Sequence, residues 1–217
     1  MACTLPYSAP AQPSSPASEL CRRPCSSLSP AAKPFQPRIL VQWQPPRLGW
    51  FKLNFDGSVR YDGSGRASMG GVIRDNSGRV LAAFAEPTEH WSVGVVEARA
   101  LIRGLRLALD CFIGRLVVEG DDQVLVKLLR GEDSQTRIPA TIHDEILMLL
   151  DRFSECEVQH IYREGNQVAD ALCHQAYHTP GEWRAGGNGI MLPLAVVEKV
   201  EDDAHGAVYE RIRKPKG

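Results

Sequence analysis

No apolar run in the chain approaches the ~20 residues that a membrane-spanning helix needs, which excludes a helical membrane class. Cysteine is sparse and badly spaced for metal. The six lie at 3, 21, 25, 111, 156 and 173, with no C-x-x-C pair to start a zinc ribbon or finger. Neither sign of charge prevails: 25 Lys and Arg stand against 26 Asp and Glu, so no whole-chain basic field advertises nucleic acid. No secretory apolar segment follows the initiator Met, and no internal repeat is visible. Cys111, Cys156 and Cys173 lie among apolar or mixed neighbours, where free cysteine acts as a small hydrophobe. These absences leave an intracellular protein of reduced compartments, nucleus or cytoplasm, as the expectation. With 217 residues, 43% of them hydrophobic, it has material for one ordinary domain plus tails.

Acid is nearly absent from residues 1–46, where Glu19 stands alone against Arg22, Arg23, Lys33 and Arg38. Ten of the fifteen prolines and seven serines fall there. Such a stretch buries too little apolar surface to offset its ordering entropy. Two readings stay open: a disordered leader, or a plastid-type transit peptide, which is also Ser-rich, basic and poor in acid. On the first reading, removing residues 1–46 should leave the melting temperature nearly unchanged.

The pattern changes at Trp50. In residues 50–56, Phe51, Leu53 and Phe55 alternate with Lys52, Asn54 and Asp56, the period of a strand. Residues 67–74 and 79–85 read as two more strands, joined by turns at 63–65 and 75–78. Residues 95–110 switch to helical period, with Arg99, Arg103 and Arg106 opposite Ala98, Leu101, Leu105 and Ala108. A short strand at 116–119 follows, then helices at 122–130 and 139–152. A strand at 157–162 precedes a last helix, capped by Asn166 and running to Tyr177. The order βββαβααβα predicts an α/β fold, a five-stranded mixed sheet with helices packed on it. Residues 47–180 form this domain. Residues 181–217 read as a linker, around Gly186-Gly187-Asn188-Gly189, and a charged C-terminal tail.

Four acids are awkwardly placed. Asp56 ends the first strand; a turn-initiating Asp would look the same. Glu97 falls on the apolar side of its helix, where an acid is rarely buried without a partner. Asp121 sits at the C-terminal lip of a buried-looking strand, where open α/β sheets bind ligands, though it could cap the next helix. Asp170 lies off the apolar face of the last helix and alone reads as solvated. Were the four to converge, two charges ~4 Å apart would repel by about 4 kcal/mol, and a cation or protons would be needed. Oxygen-only ligands favour Mg²⁺ or Mn²⁺ over zinc. The Cys173, His174 and His178 set lacks a fourth ligand and reads as incidental, and the arginine face as solvated, with a phosphate track as its alternative.

Five pieces in order carry a resemblance: Lys52-Leu53-Asn54-Phe55-Asp56-Gly57-Ser58, Gly71-Val72-Ile73-Arg74-Asp75, Val96-Glu97-Ala98-Arg99-Ala100-Leu101, Val118-Glu119-Gly120-Asp121-Asp122-Gln123, and Arg163-Glu164-Gly165-Asn166-Gln167-Val168-Ala169-Asp170-Ala171-Leu172. Over about residues 50–177 the chain resembles the ribonuclease H type 1 domain, in its plant form related to non-LTR retroelements. The resemblance implies a ribonuclease H-like fold and a metal-dependent endonuclease that hydrolyses the RNA strand of RNA·DNA hybrids with two Mg²⁺ ions, or Mn²⁺. It implies that Asp56 bridges both ions, that Glu97 and Asp121 hold one and Asp170 the other. Gln123 matches a position that touches the hybrid's minor groove, where the 2′-OH marks RNA. No small-molecule cofactor, no membrane and a monomeric chain complete the expectation.

Three departures set an alternative beside it. Val93-Gly94-Val95-Val96 replaces the family's paired asparagines. Arg163-Glu164-Gly165 offers no proton-shuttling histidine, and His160 sits upstream on a strand. No basic handle helix appears, and residues 47–180 hold 15 Lys and Arg against 19 Asp and Glu. The alternative is a catalytically weak or inactive, domesticated retroelement fragment that binds nucleic acid without cutting.

Overall fold

The structure, a computed structural model, describes residues 38–132, 137–185 and 190–212. The predicted order is present. Strands β2 (Phe51–Val59), β3 (Ala67–Arg74) and β4 (Val80–Thr88) form an antiparallel meander, preceded by a short β1 (Arg38–Val41). Then come α1 (Val93–Asp110), β5 (Arg115–Gly120), α2 (Gln123–Leu129), α3 (Ala140–Leu150), β6 (Glu155–His160) and α4 (Gln167–Ala176). β5 lies parallel to β2, and β6 parallel to β5, so the sheet is mixed.

Strand alternation decides the layers. Leu53 and Phe55 on β2 face one side and meet Leu101, Leu105 and Ala108 of α1, with Val118 and Ile146. α1 presses so close that a Cβ at Gly104 would lie 2.7 Å from the Leu53 methyls. The opposite face carries Val72, Ala83 and Ala85 under Val168, Leu172 and Ala176 of α4. At Gly70 an added Cβ would lie 2.6 Å from the Ala169 carbonyl oxygen, so α4 rests on β3 where no side chain intervenes.

Beyond Gly181 the chain is folded, where the sequence suggested a linker and a tail. Gly181–Arg184 is β7, antiparallel to β4, and adds a sixth strand to the five expected, in the order β6-β5-β2-β3-β4-β7. Leu194–Ala204 is α5, which buries Val196 in the α4 cluster. Tyr209–Ile212 is β8, paired antiparallel with β1 in a separate two-stranded ribbon. Asp203 explains the fold of so charged a segment: its carboxylate lies 2.6 Å from Arg74 Nη1, both side chains buried.

The other boundary moves as well. Val41 and Trp43, assigned by sequence to the leader, are 5% and 3% exposed. Trp43 donates from Nε1 to Asn54 Oδ1 at 2.9 Å, and its ring lies 3.5 Å under the Arg74 guanidinium carbon. The rest of the predicted leader, residues 1–37, lies outside the described residues. Deleting residues 1–46 is therefore expected to lower the melting temperature by about 10 °C. Losing a buried Trp costs roughly 3–5 kcal/mol, and 1 kcal/mol moves a chain of this size by about 2–4 °C. Calorimetry of the truncated chain checks this, and an unchanged melting temperature would contradict it.

Candidate active site

Three elements end at one place. Asp56 stands near the end of β2, and Gly57 follows it. A Cβ on Gly57 would lie 2.6 Å from the Glu97 amide nitrogen, so this glycine lets α1 seat its first turns on the strand. The parallel register pairs Phe55 with Gly120, which sets Asp121, the residue after β5, beside Asp56. Capping of α2 falls to the next residue: Asp122 Oδ1 accepts from the Val124 and Leu125 amides at 2.8 and 3.2 Å. Asp121 is thereby left for the cleft. Carboxylate oxygens of Asp56, Glu97 and Asp121 all lie within 4.8 Å of one another.

Their electrostatics are adverse. Burial, then the charges of Asp121 and Asp170, push Asp56 up to about 7, with Arg163 pulling back. Burial first, then Asp56 and Asp121, drive Glu97 well above the ordinary carboxylate range. Asp121 is raised by burial, against the pull of Arg163. Glu97 Oε2 is buried and has no hydrogen-bond partner among the described residues. A buried carboxylate oxygen without a donor costs free energy and calls for a cation or a proton. Three hard oxygen donors around one point, with no sulfur or imidazole among them, fit Mg²⁺ or Mn²⁺.

Asp170 stands at the edge of this group. It is close enough to raise Asp56, but its carboxylate meets Arg163 Nη2 at 2.9 Å and His174 Nδ1 at 3.4 Å. Neither partner is legible in the sequence as part of the site: Arg163 opens a short 3₁₀ turn, and His174 reads as incidental beside Cys173. The signal for His174 is its i,i+4 spacing from Asp170. Asn166 also plays a different part from the predicted one. Its side chain makes no cap; Nδ2 donates to the Phe55 carbonyl at 2.9 Å. The Cys173 thiol donates to the Asp56 carbonyl at 3.1 Å. Asn166, just ahead of α4, and Cys173 on it thus hold the successive Phe55 and Asp56 carbonyls and fix Asp170 relative to them.

Beneath lies a buried polar layer. Asn54 accepts from Trp43 and from Arg74 Nη2 at 2.8 Å, and donates to Glu119 at 3.0 Å and Asn166 at 3.3 Å. Lys52 pairs with Glu119 at 2.9 Å. Asn54 so spends its whole bonding capacity in holding Asn166, and through it the strand that carries Asp56.

The carboxylates open into a groove of about 390 Å³ that also takes in Ser58, Tyr61, Val93, Gln123, Arg137 and Arg163. Gln123, the expected substrate contact, is exposed there as the first residue of α2. The arginine face of α1 is committed elsewhere. Arg99 and Arg106 meet Glu145, and Arg103 meets Glu86 and Glu182. His160 ends β6 edge-on to Tyr162, away from the groove-lining residues. No described helix is long and apolar enough to cross a membrane.

Known proteins place this arrangement. A protein of Arabidopsis thaliana named for ribonuclease H is 31% identical over 144 residues, 65% of this chain; the chain spans only 23% of that relative's length. Ribonuclease HI of Halobacterium salinarum is 30% identical over 137 residues, covering 61% of this chain and 67% of the relative. The crystal structure of RNase H1 from that archaeon superposes with a TM-score of 0.55 at 27% identity, over 59% of this chain and 97% of the other. LC11-RNase H1, solved in complex with an RNA/DNA hybrid, gives 0.53 at 25% identity, over 58% and 95%. The match to the reverse transcriptase-like family runs over residues 54–176, more than half of the sequence and all three clustered carboxylates. The chain therefore belongs to the reverse transcriptase-like family, with a ribonuclease H-like domain and an acidic cluster suited to metal-dependent nuclease chemistry.

Proposed function

We propose that this chain is a metal-dependent endonuclease that hydrolyses the RNA strand of RNA·DNA hybrids. The observation that carries the reading is the convergence of Asp56, Glu97 and Asp121 on one point, with Glu97 Oε2 buried and without a donor among the described residues. Divalent metal, two ions of Mg²⁺ or Mn²⁺, would supply an activated water and neutralise charge on the phosphate. Asp56, Glu97 and Asp121 would hold one ion, and Asp56 with Asp170 the other. To take that role Asp170 would have to give up its contact with Arg163. Gln123 at the groove's rim would read the minor groove of the hybrid. The chain acts as a monomer, with its folded unit running from the β1 strand to β8. An origin in a retroelement is supported by the family matched and by the much greater length of the plant relative.

The binding-module reading draws on one observation: Asp170 is held in an ion pair outside the three-carboxylate group. Incubating the protein with a labelled RNA·DNA hybrid, with double-stranded DNA of the same sequence as control, separates the two. Cleavage of the RNA strand with Mg²⁺ or Mn²⁺, and intact DNA, is the expected result. Binding of hybrid with no cutting in either metal would establish the module instead.

A further inference from the structure

A net negative domain without a basic handle must still hold a polyanion, and ion pairing decides which cations are free to do so. Most are spent. Arg99, Arg103, Arg106, Arg130 and Arg163 all face carboxylates. Among the described residues of the domain Arg115, Lys127, Arg137 and Arg152 have none within ion-pair distance, and neither do Arg60 and Arg66. These last two stand opposite each other at the mouth of the β2–β3 hairpin, where the Arg60 amide donates to the Arg66 carbonyl at 2.9 Å. Their guanidinium carbons lie 4.1 and 5.1 Å from the centre of the Tyr177 ring, and Arg66 Nη2 donates to the Tyr177 carbonyl at 2.9 Å. Asp62, in the hairpin turn, feels Arg60 but accepts from the Ser64 amide at 2.9 Å.

This cationic stack is continuous with the carboxylate groove. The Tyr177 hydroxyl donates to the Ser58 carbonyl at 3.3 Å, and Ser58, Val59 and Tyr61 line the groove. Tyr61, between the stack and the hairpin tip, is 83% exposed. Across the groove, Arg137 also lacks a carboxylate partner among the described residues, and lines the other side with Gln123. A guanidinium stacked on an aromatic ring is pre-organised and keeps its N–H edge for a phosphate. Free cations therefore flank an acidic centre, where a duplex backbone would run on either side of the cut.

We propose that Arg60 and Arg66, stacked with Tyr177, form a phosphate-backbone contact that holds nucleic acid along the hairpin side of the groove. This rests on the nucleic-acid reading of the groove, and goes beyond it in naming what replaces a basic handle. The test is hybrid binding by fluorescence anisotropy, with cleavage kinetics, from about 50 to 200 mM salt. Variants are Arg60→Gln, Arg66→Gln, the double substitution, and Arg60→Lys; Arg79→Ala, exposed and paired with Asp75, is the control. Expected are a Kd and KM raised about tenfold in the double variant, kcat within about twofold, and a salt slope shallower by one to two. Arg60→Lys should recover part of the affinity, and Arg79→Ala should behave as the parent. Single variants that melt as the parent exclude a folding defect as the cause. Affinity and salt slope unchanged in the double variant would overturn the proposal, as would a fall in kcat at constant KM. A parent chain that binds hybrid through these arginines but never cuts it would uphold the surface and remove the nuclease reading. A parent chain that binds no hybrid would remove both.

Discussion

Asp56→Asn, Glu97→Gln and Asp121→Asn are each expected to lower hybrid cleavage by at least about a hundredfold, and any two together by little more than one. The three carboxylates share one point, so losing any of them removes the same cation. Asp170→Asn should behave differently. It leaves the three-carboxylate group intact, so cleavage should fall steeply while affinity for a first Mn²⁺ ion, read by calorimetry, changes by no more than about threefold. Asp122→Asn should keep most of the activity, because Asn caps a helix about as well as Asp. Glu119→Gln, by contrast, leaves the Lys52 ammonium buried without a carboxylate, and its cost should appear as roughly 3–5 kcal/mol of stability. Were Asp122→Asn as damaging to cleavage as Asp121→Asn, a diffuse acidic surface would replace a built site.

The same carboxylates should set the stability of the metal-free protein. Asp56 sits at about 7 in the fold against 3.8 for an exposed aspartate, and Glu97 and Asp121 shift in the same direction. A raised carboxylate holds its proton in the fold and releases it on unfolding. Its contribution is complete below about pH 4 and disappears as pH rises through 7. Metal-free protein is thus expected to melt higher at pH 5 than at pH 8, by on the order of 2–4 kcal/mol. Asp56→Asn should flatten that slope and raise the melting temperature at pH 8. Mn²⁺ at a hundred times its Kd should raise the parent at pH 8 by about 2.7 kcal/mol, or roughly 5–10 °C, and Asp56→Asn hardly at all. A parent chain that melts alike at both pH values and does not respond to Mn²⁺ would show that these acids are not coupled.

Much of this is legible in the sequence because local pattern and tertiary role agree. Phe51, Leu53 and Phe55 alternate because one face of β2 packs on α1, and Glu97 stands out on the wheel because it shares the buried face of that helix. Asp121 and Asp122 cannot be ranked without the cap that Asp122 makes. The C-terminal segment reads as tail because it buries little: Val196 is the only fully buried apolar residue of α5, set among charges. What holds it is Asp203, an acid in an acidic run whose partner lies 129 positions upstream. Trp43 is hidden likewise among prolines, since its partners, Asn54 and Arg74, read as polar strand residues. The polar layer under the site pairs residues far apart in sequence, and no periodicity reports such pairs.

Anomalous diffraction at the manganese edge, from crystals soaked in Mn²⁺, tests the metal centre most directly. The expected map shows a peak enclosed by the carboxylates of Asp56, Glu97 and Asp121, and none in crystals of Asp56→Asn. No peak at that point, or manganese bound only elsewhere on the surface, would contradict it.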